Sequence, residues 1–280
     1  MHLDAPNCTW APLNVTKGLQ YSEIQYLLGG FSGVLIGFTL GLVGGGGSIM
    51  AVPLMVYVVG VKSPHLAIGT SALAVAANAL ASLANHARTR NVNWRCGGSF
   101  ALAGVMGALG GSTLGKTFDG EKLLFLFALL MLVVAFLMYR GRGETGIEGV
   151  QCNRENLPRV VLFGVATGML SGFFGIGGGF LIVPALVAST AMPIYRAIGT
   201  SLIAVAAFGL TTAANYAASG LLDFALAGSF IAGGVVGSVL GAMAAKRLAA
   251  AKGLLNTLFA GLIVVVALYM LYRTWVSFTA

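Results

Sequence analysis

Gly44-Gly-Gly-Gly47 interrupts the apolar stretch Gly37-Phe-Thr-Leu-Gly41-Leu-Val-Gly44-Gly-Gly-Gly47-Ser-Ile-Met-Ala-Val-Pro53. A second interruption of the same kind lies in Gly168-Met-Leu-Ser-Gly172-Phe-Phe-Gly175-Ile-Gly-Gly178-Gly-Phe-Leu-Ile-Val-Pro184. Glycine breaks a helix because it gains least from being ordered and readily adopts non-helical angles. In lipid such a break leaves backbone groups without partners, so it is tolerated only inside protein or beside a polar cavity. Two breaks at matching positions are the sequence pattern that best indicates the binding site of a membrane carrier.

The composition excludes a soluble protein. Of the 280 residues, 58% are hydrophobic and 9% are charged, and the mean hydropathy is +0.90. Soluble domains carry roughly a quarter charged residues. The charge-free stretches are 24–61, 63–87, 96–115, 123–139, 160–195, 197–222, 224–245 and 253–272. Because a helical crossing takes about 20 apolar residues, the chain is predicted to be an all-α integral membrane protein.

The chain repeats itself at a shift of about 130 residues. Ala67-Ile-Gly-Thr-Ser71 recurs as Ala197-Ile-Gly-Thr-Ser201, and Asn85 recurs as Asn215. The stretch between the copies holds seven charged residues and four glycines, which is typical of a linker. The predicted divisions are an exposed tail 1–23, a membrane repeat 24–139, a charged linker 140–159, a second membrane repeat 160–273 and a C-terminal tail 274–280.

The basic residues indicate how the two homologous halves are oriented. If each half holds five helical segments, one face of the membrane collects 11 basic residues and the other 5, whereas four segments per half give 9 and 7. Cytoplasmic loops carry the excess of Lys and Arg, so this bias favours inverted halves, a cytoplasmic linker and both termini outside. Segment 48–61 spans only about 21 Å as a helix, so it and its equivalent 179–192 are predicted to be half-helices or re-entrant arms.

The two glycine breaks are the predicted centre of the binding site. A helix that begins after a break directs its unpaired N–H groups and the positive end of its dipole toward the break, and two such ends together would bind an anion. The residues predicted to bind there are Gly45, Gly46, Gly47, Ser48, Gly177, Gly178 and Gly179. The alternative role for glycine is close helix packing, which is the interpretation for Gly104, Gly107, Gly111, Gly234, Gly237 and Gly241. These latter glycine-rich faces are also suited to a homodimer.

The segment after each break adds polar side chains. Ser71, Asn78 and Asn85 recur every seven residues and therefore share one helix face. The equivalent segment carries Ser201, Thr211, Thr212 and Asn215. The predicted ligand-binding residues are Thr70, Ser71, Asn78, Thr200, Ser201 and Asn215, with hydrogen bonding between helices as the alternative. Arg196 could bind a sulfonate or carboxylate through two hydrogen bonds, or else extend to the membrane interface.

No carboxylate lies within an apolar stretch, which argues against a cation-coupled pump, although backbone carbonyls at the breaks could still hold an ion. The three cysteines form no CxxC motif and indicate neither a disulfide framework nor a metal cluster. An intramembrane redox enzyme would need paired cysteines at membrane depth, and Cys96 and Cys152 fall at loops. The sequence therefore predicts no enzyme activity, no metal and no other cofactor.

Two glycine-rich breaks that run to a proline, each followed by Ala-Ile-Gly-Thr-Ser, resemble the TauE/SafE family of bacterial inner-membrane transporters, also called the sulfite exporter or TSUP family. The resemblance extends from about residue 30 to residue 272. It implies export of small sulfur-containing anions such as sulfite, sulfoacetate or related organosulfonates. The first break reads Gly44-Gly-Gly-Gly-Ser48 and the second Gly175-Ile-Gly-Gly-Gly179, so the two halves of the site need not be equivalent.

The expected mechanism is alternating access around a central site, in a multi-pass protein of the bacterial inner membrane. The expected partners are the lipid bilayer and a small anion. Nucleic acid is not expected, because the net charge of +8 comes from basic residues in loops between apolar segments. Three alternatives stay open: an importer, a proton-linked carrier of sulfate, thiosulfate or a carboxylate, and an assembly subunit that transports nothing.

Overall fold

A computed structural model describes residues 21–140, 156–175, 179–247, 261 and 263–274 of the chain. Within these residues the protein consists of helices joined by short connections, without a β-strand. Five helices are long and apolar enough to cross a membrane. The prediction of an all-α membrane protein is therefore confirmed. Most of the predicted linker and terminal tails lies outside the described residues.

The first half begins with helix α1, which is followed by a segment of changing helical geometry. This segment is a 3-10 helix over Gly44–Met50, a single turn α2 over Ala51–Pro53 and a π-helical turn over Leu54–Val58. The sequence predicted a helix that begins after the glycines, but the glycines themselves form the 3-10 helix. The other helices of this half are α1 (Glu23–Val43), α3 (Pro64–Arg88), α4 (Trp94–Thr117) and α5 (Gly120–Arg140).

The second half repeats this order of elements. Helix α6 ends at Gly175, which has a φ of +67° that favours glycine, and the next helix begins at Gly179 as predicted. The helices are α6 (Leu157–Phe174), α7 (Gly179–Thr190), α8 (Ile194–Ala217), α9 (Phe224–Arg247) and α10 (Ile263–Thr274). Helices α6 to α10 thus follow one another as α1, the glycine-rich segment, α3, α4 and α5 do.

Helices α3 and α8 form the centre of the protein. In the most apolar stretches of α3 and α8, 72% and 67% of the residues are buried, against 39% in α1, α6 and α9. The two central helices run antiparallel. His65 at the start of α3 lies beside Tyr216 at the end of α8, and Tyr195 at the start of α8 lies beside His86 at the end of α3. Helices α3 and α8, which hold equivalent places in the repeat, thus point in opposite directions.

Glycines allow the backbone of α1 to approach that of α9 very closely, and they do the same for α4 and α6. A Cβ atom at Gly37 would collide with the carbonyl of Gly234, and one at Gly168 would collide with the carbonyl of Gly104. Similar collisions would occur at Gly33, Gly41, Gly107, Gly111, Gly115, Gly172, Gly233, Gly237 and Gly241. The predicted packing role of these glycines is confirmed. Neighbouring helices cover the glycines themselves, and the homodimer stays a prediction.

All the major contacts between the long helices join one half of the chain to the other. Helix α1 packs on α9, and α6 packs on α4. The central α3 contacts both α8 and α9, while α8 contacts both α3 and α4. If each helix is replaced by its equivalent in the other half, the α1–α9 contact becomes the α6–α4 contact and the α3–α9 contact becomes the α8–α4 contact. The α3–α8 contact is unchanged. The halves are therefore interlocked rather than packed side by side.

Each Ala-Ile-Gly-Thr-Ser motif holds a loop of the other half. The Thr200 hydroxyl accepts a hydrogen bond from the backbone N–H of Asn93 (3.0 Å), and the Thr70 hydroxyl accepts one from Asp223 (3.1 Å). The preceding glycine lets the loop backbone approach, because a Cβ at Gly199 would collide with the carbonyl of Asn91. A Cβ at Gly69 would likewise collide with the carbonyl of Leu221. Asn93 and Asp223 then cap α4 and α9 with their side chains.

Replacing Gly111 by alanine tests the close contact of α4 and α6. Gly111→Ala is expected to lower the free energy of unfolding by about 1–3 kcal/mol, because the added methyl group meets the carbonyl of Met169. Gly110→Ala is the matched control, since nothing lies within 4 Å of its added methyl group. The measurement is thermal unfolding of both purified variants in detergent. Equal unfolding temperatures would contradict this packing.

Replacing Thr200 by valine tests the hold on the loop between α3 and α4. Thr200→Val is expected to destabilise the protein by about 1–3 kcal/mol and to speed hydrogen exchange at Asn93, because the buried N–H loses its acceptor. Thr211→Val is the control, since that hydroxyl donates only to the carbonyl of Ala207 in its own helix. Unchanged exchange at Asn93 in the Thr200 variant would show that the loop is held by other contacts.

Candidate functional site

Buried polar atoms without a hydrogen-bond partner are concentrated on the two central helices. Asn78 and Ser82 lie one turn apart on α3, and Thr212 and Tyr216 lie one turn apart on α8. The other such groups among the described residues are the hydroxyls of Ser32 and Ser171 and the Nδ1 atom of His65. An unsatisfied buried polar group costs about 1–3 kcal/mol. Such groups inside apolar helices are therefore expected where a polar ligand or water supplies the missing partners.

Among the predicted site residues, Asn78 most clearly has unused hydrogen-bonding groups that a ligand could contact. Its side chain is fully buried, and neither its amide nitrogen nor its amide oxygen has a partner. The amide lies against Gly234 of α9, where a Cβ atom would overlap it. The equivalent position on α8 is Phe208, whose ring lies against Gly104 and stacks on Phe100. The two equivalent positions are thus polar in one half and aromatic in the other.

The first glycine break packs tightly against the end of α1. Gly46, Gly47 and Ser48 are all buried. A Cβ at Gly47 would come within 2.5 Å of the backbone and hydroxyl of Thr39, and that hydroxyl donates to the carbonyl of Gly47 at 3.4 Å. The backbone of Gly45 belongs to the same 3-10 helix.

The second break is described only at its edges. Gly179 is buried at the start of α7. Gly177 and Gly178 lie outside the described residues. Gly175 contacts the side chain of Ile68, one turn into α3, so this break lies near the beginning of a central helix. The 3-10 segment of the first break and α7 are in contact.

The threonine and serine pairs of the repeated motif are buried but have backbone partners. The Thr70 and Thr200 hydroxyls accept from the loops described above. The Ser71 hydroxyl donates to the carbonyl of Ile68 at 3.1 Å, and the Ser201 hydroxyl donates to that of Ile198 at 2.7 Å. All four hydroxyls are therefore hydrogen-bonded to backbone groups. Their role in ligand binding stays a prediction.

Asn215 and Arg196 lie away from Asn78. The amide of Asn215 donates to the hydroxyls of Ser112 (2.6 Å) and Thr113 (3.0 Å), and its oxygen accepts from the Lys116 ammonium at 2.9 Å. This is the hydrogen bonding between helices that was the alternative for Asn215. Arg196 is exposed in the first turn of α8, so the structure does not bring it together with the buried polar groups.

Several of the unpartnered groups were not selected from the sequence. Ser82 could have been found, because it follows Asn78 by one helical turn and is equivalent to Thr212 in the repeat. Ser32 and Ser171 carry no such signal, since their repeat equivalents are Phe163 and Leu40.

The structure also bears on metal and cysteine chemistry. In the part of the chain that it describes, no three His, Cys, Asp or Glu side chains come together as metal ligands would. Cys96 forms a disulfide bond, which the sequence pattern did not predict. Only one of the three cysteines is placed by the structure, at the start of α4.

Comparison with known proteins gives a consistent result. The family described as "Sulfite exporter TauE/SafE" matches residues 29–270. A "Probable membrane transporter protein" from Xylella fastidiosa is 51% identical over 250 residues, which are 89% of this chain and 96% of that protein. Two more distant relatives carry similar names. "Probable membrane transporter protein YdhB" from Bacillus subtilis is 28% identical over 221 residues, 74% of this chain and 85% of that protein. A "Probable membrane transporter protein" from Haemophilus influenzae is 30% identical over 197 residues, 67% of this chain and 72% of that protein.

No solved structure matches the chain significantly. The family match covers most of the sequence, and the names of the relatives indicate a transporter rather than an enzyme. The apolar helices agree with a multi-pass protein in a membrane. The chain is therefore a membrane transporter that belongs to the TauE/SafE family.

Proposed function

We propose that the protein exports small sulfur-containing anions, such as sulfite, sulfoacetate or related organosulfonates, across the bacterial inner membrane. The observation that carries the proposal is the fully buried amide of Asn78, which has no partner at either polar atom, beside the other buried, unpartnered polar groups of α3 and α8. A solute that crosses the membrane must replace its lost water with groups of this kind. The family description, "Sulfite exporter TauE/SafE", supports sulfite as the first substrate to examine.

Neutral donors suit an anion that is bound and released without a coupled cation. The hydroxyls of Ser82 and Thr212 and the amide of Asn78 can all donate hydrogen bonds to oxygen. Among the described residues, the carboxylates of Glu23, Asp119, Glu121 and Asp223 lie at helix ends rather than within the apolar stretches. An inside-negative potential favours exit of an anion by about 2.3 kcal/mol per charge per 100 mV, so export needs no further driving force.

The helix directions support inverted halves and alternating access. Helices α3 and α8 are antiparallel, whereas α1 runs parallel to α9 and α4 runs parallel to α6. With short connections between α3 and α4, between α4 and α5 and between α8 and α9, these directions support opposite faces of the membrane for the start of α1 and the end of α5. We therefore propose that the halves cross the membrane in opposite orientations and rock against each other around the central polar groups.

Replacing Asn78 tests the central site. Asn78→Leu is expected to reduce sulfite flux in proteoliposomes at least tenfold while leaving the unfolding temperature unchanged or higher, because the amide has no partner to lose. Phe208→Leu is the control at the equivalent position and is expected to reduce stability instead, because it loses the contact with Phe100.

Flux should be measured for sulfite, sulfoacetate and a neutral analogue of similar size, at imposed potentials of both signs. We expect only the anions to move, and their flux to follow the potential. Flux that ignores the potential would favour a proton-linked carrier, and the absence of any flux would favour an assembly subunit.

Single cysteines test the orientation of the halves. In a background with the native cysteines replaced, a cysteine in 141–155 is expected to react only with reagent on the cytoplasmic side, and one in 1–20 only with reagent outside. The reason is the excess of Lys and Arg on the linker side together with the helix directions above. Reaction of both positions from the same face would refute the inverted arrangement.

A further inference from the structure

A histidine and a tyrosine face each other at both ends of the central helix pair. At one end the ring centroids of His65 and Tyr216 are 6.4 Å apart, and at the other those of His86 and Tyr195 are 6.5 Å apart. The four residues occupy two pairs of equivalent positions in the repeat, with histidine and tyrosine exchanged. The two ends of the pair can therefore be compared atom by atom.

At the end with His86, the Asn91 side chain links the two central helices through hydrogen bonds. The Asn91 side chain lies 3.3 Å from Nδ1 of His86 and donates to the carbonyl of Tyr195 at 2.9 Å. The position equivalent to Asn91 is Leu221, which has no polar side chain to offer. Both loops otherwise keep the same backbone bonds, from Asn91 to the carbonyl of His86 and from Leu221 to that of Tyr216.

The end with His65 leaves one donor and one acceptor unused. Nε2 of His65 lies 3.1 Å from the carbonyl of Phe118, and a carbonyl only accepts, so Nε2 carries the hydrogen. Nδ1 of neutral His65 is then an acceptor, and it is buried without a partner. The Tyr216 hydroxyl is a buried donor, also without a partner.

A cation lies beside Tyr216. The Lys116 ammonium is 5.9 Å from the centre of the Tyr216 ring. Its hydrogen bonds go to neutral atoms, namely the carbonyl and amide oxygens of Asn215 and the hydroxyl of Ser219. The positive charge is therefore not neutralised by these contacts. The turn at Ala218, Ser219 and Gly220 that covers this end is exposed.

We propose that His65, Tyr216 and Lys116 form a second binding site for a small oxyanion, beneath the exposed turn and separate from Asn78. An oxygen of the ligand accepts from Tyr216, its negative charge lies near Lys116, and His65 accepts the hydrogen of a protonated anion such as hydrogen sulfite. This inference rests on the proposed function, since it adds a second binding site for the same class of ligand at one end of the central helix pair.

Replacing Tyr216 by phenylalanine tests the second site. The change removes only the hydroxyl, which has no partner, so the unfolding temperature is expected to stay the same or rise. The experiment measures binding of radioactive sulfite to the purified full-length protein by equilibrium dialysis. We expect two ions per wild-type chain, with one of the two affinities at least fivefold weaker in Tyr216→Phe and the other unchanged. Tyr195→Phe, at the opposite end, is the control and should bind as wild type does.

The outcomes separate this inference from the proposed function. Equal binding by wild type and Tyr216→Phe would overturn the second site alone and assign the unused groups to a buried water. In that case Asn78→Leu should still weaken binding, which keeps the proposed function. No binding of sulfite by the wild-type protein would contradict both.

Discussion

Contact between the backbones of helices from opposite halves is the interaction on which the rest of the structure depends. Lipid tails are as apolar as leucine side chains, so helices in a membrane gain little from burying apolar surface and associate through close packing. Glycines on α1 and α9, and on α4 and α6, allow this closeness along several turns. These two pairs surround α3 and α8, which are the most deeply buried helices and carry the unpartnered polar groups. The outer pairs therefore make a polar interior possible.

The repeat gives the protein two similar halves, but the site does not follow that symmetry. Asn78 is equivalent to Phe208, and both use a glycine on a neighbouring helix to make room. The two equivalent positions therefore differ in chemistry, with a hydrogen-bonding amide on α3 and an aromatic ring on α8. The two ends of the central helix pair also differ, because Asn91 at one end is equivalent to Leu221 at the other. These differences make the two ends of the central helix pair chemically distinct, although the halves are repeats of each other.

Much of the fold could be predicted from composition and repetition. The apolar stretches located the helices, and the small residues of α4 and α9 indicated close packing, because both features depend on local sequence. The partners of Thr70 and Thr200 could not be predicted, since the loops that they hold come from more than 100 residues away in the chain. The 3-10 helix over Gly44–Met50 was also missed. Glycine propensities favour a break there, but packing against Thr39 and Leu40 overrides them.

The interlocked contacts also determine when this protein can fold. During synthesis the first half is inserted while α6, α8 and α9 do not yet exist, so the glycine faces of α1 and α4 must meet lipid in the interval. Neither half makes its main helix contacts within itself. Each half therefore depends on the other for packing, as the subunits of an obligate dimer do. The formation of tertiary structure is thereby postponed until nearly the whole chain has been made, and assembly depends on contacts that are distant in sequence.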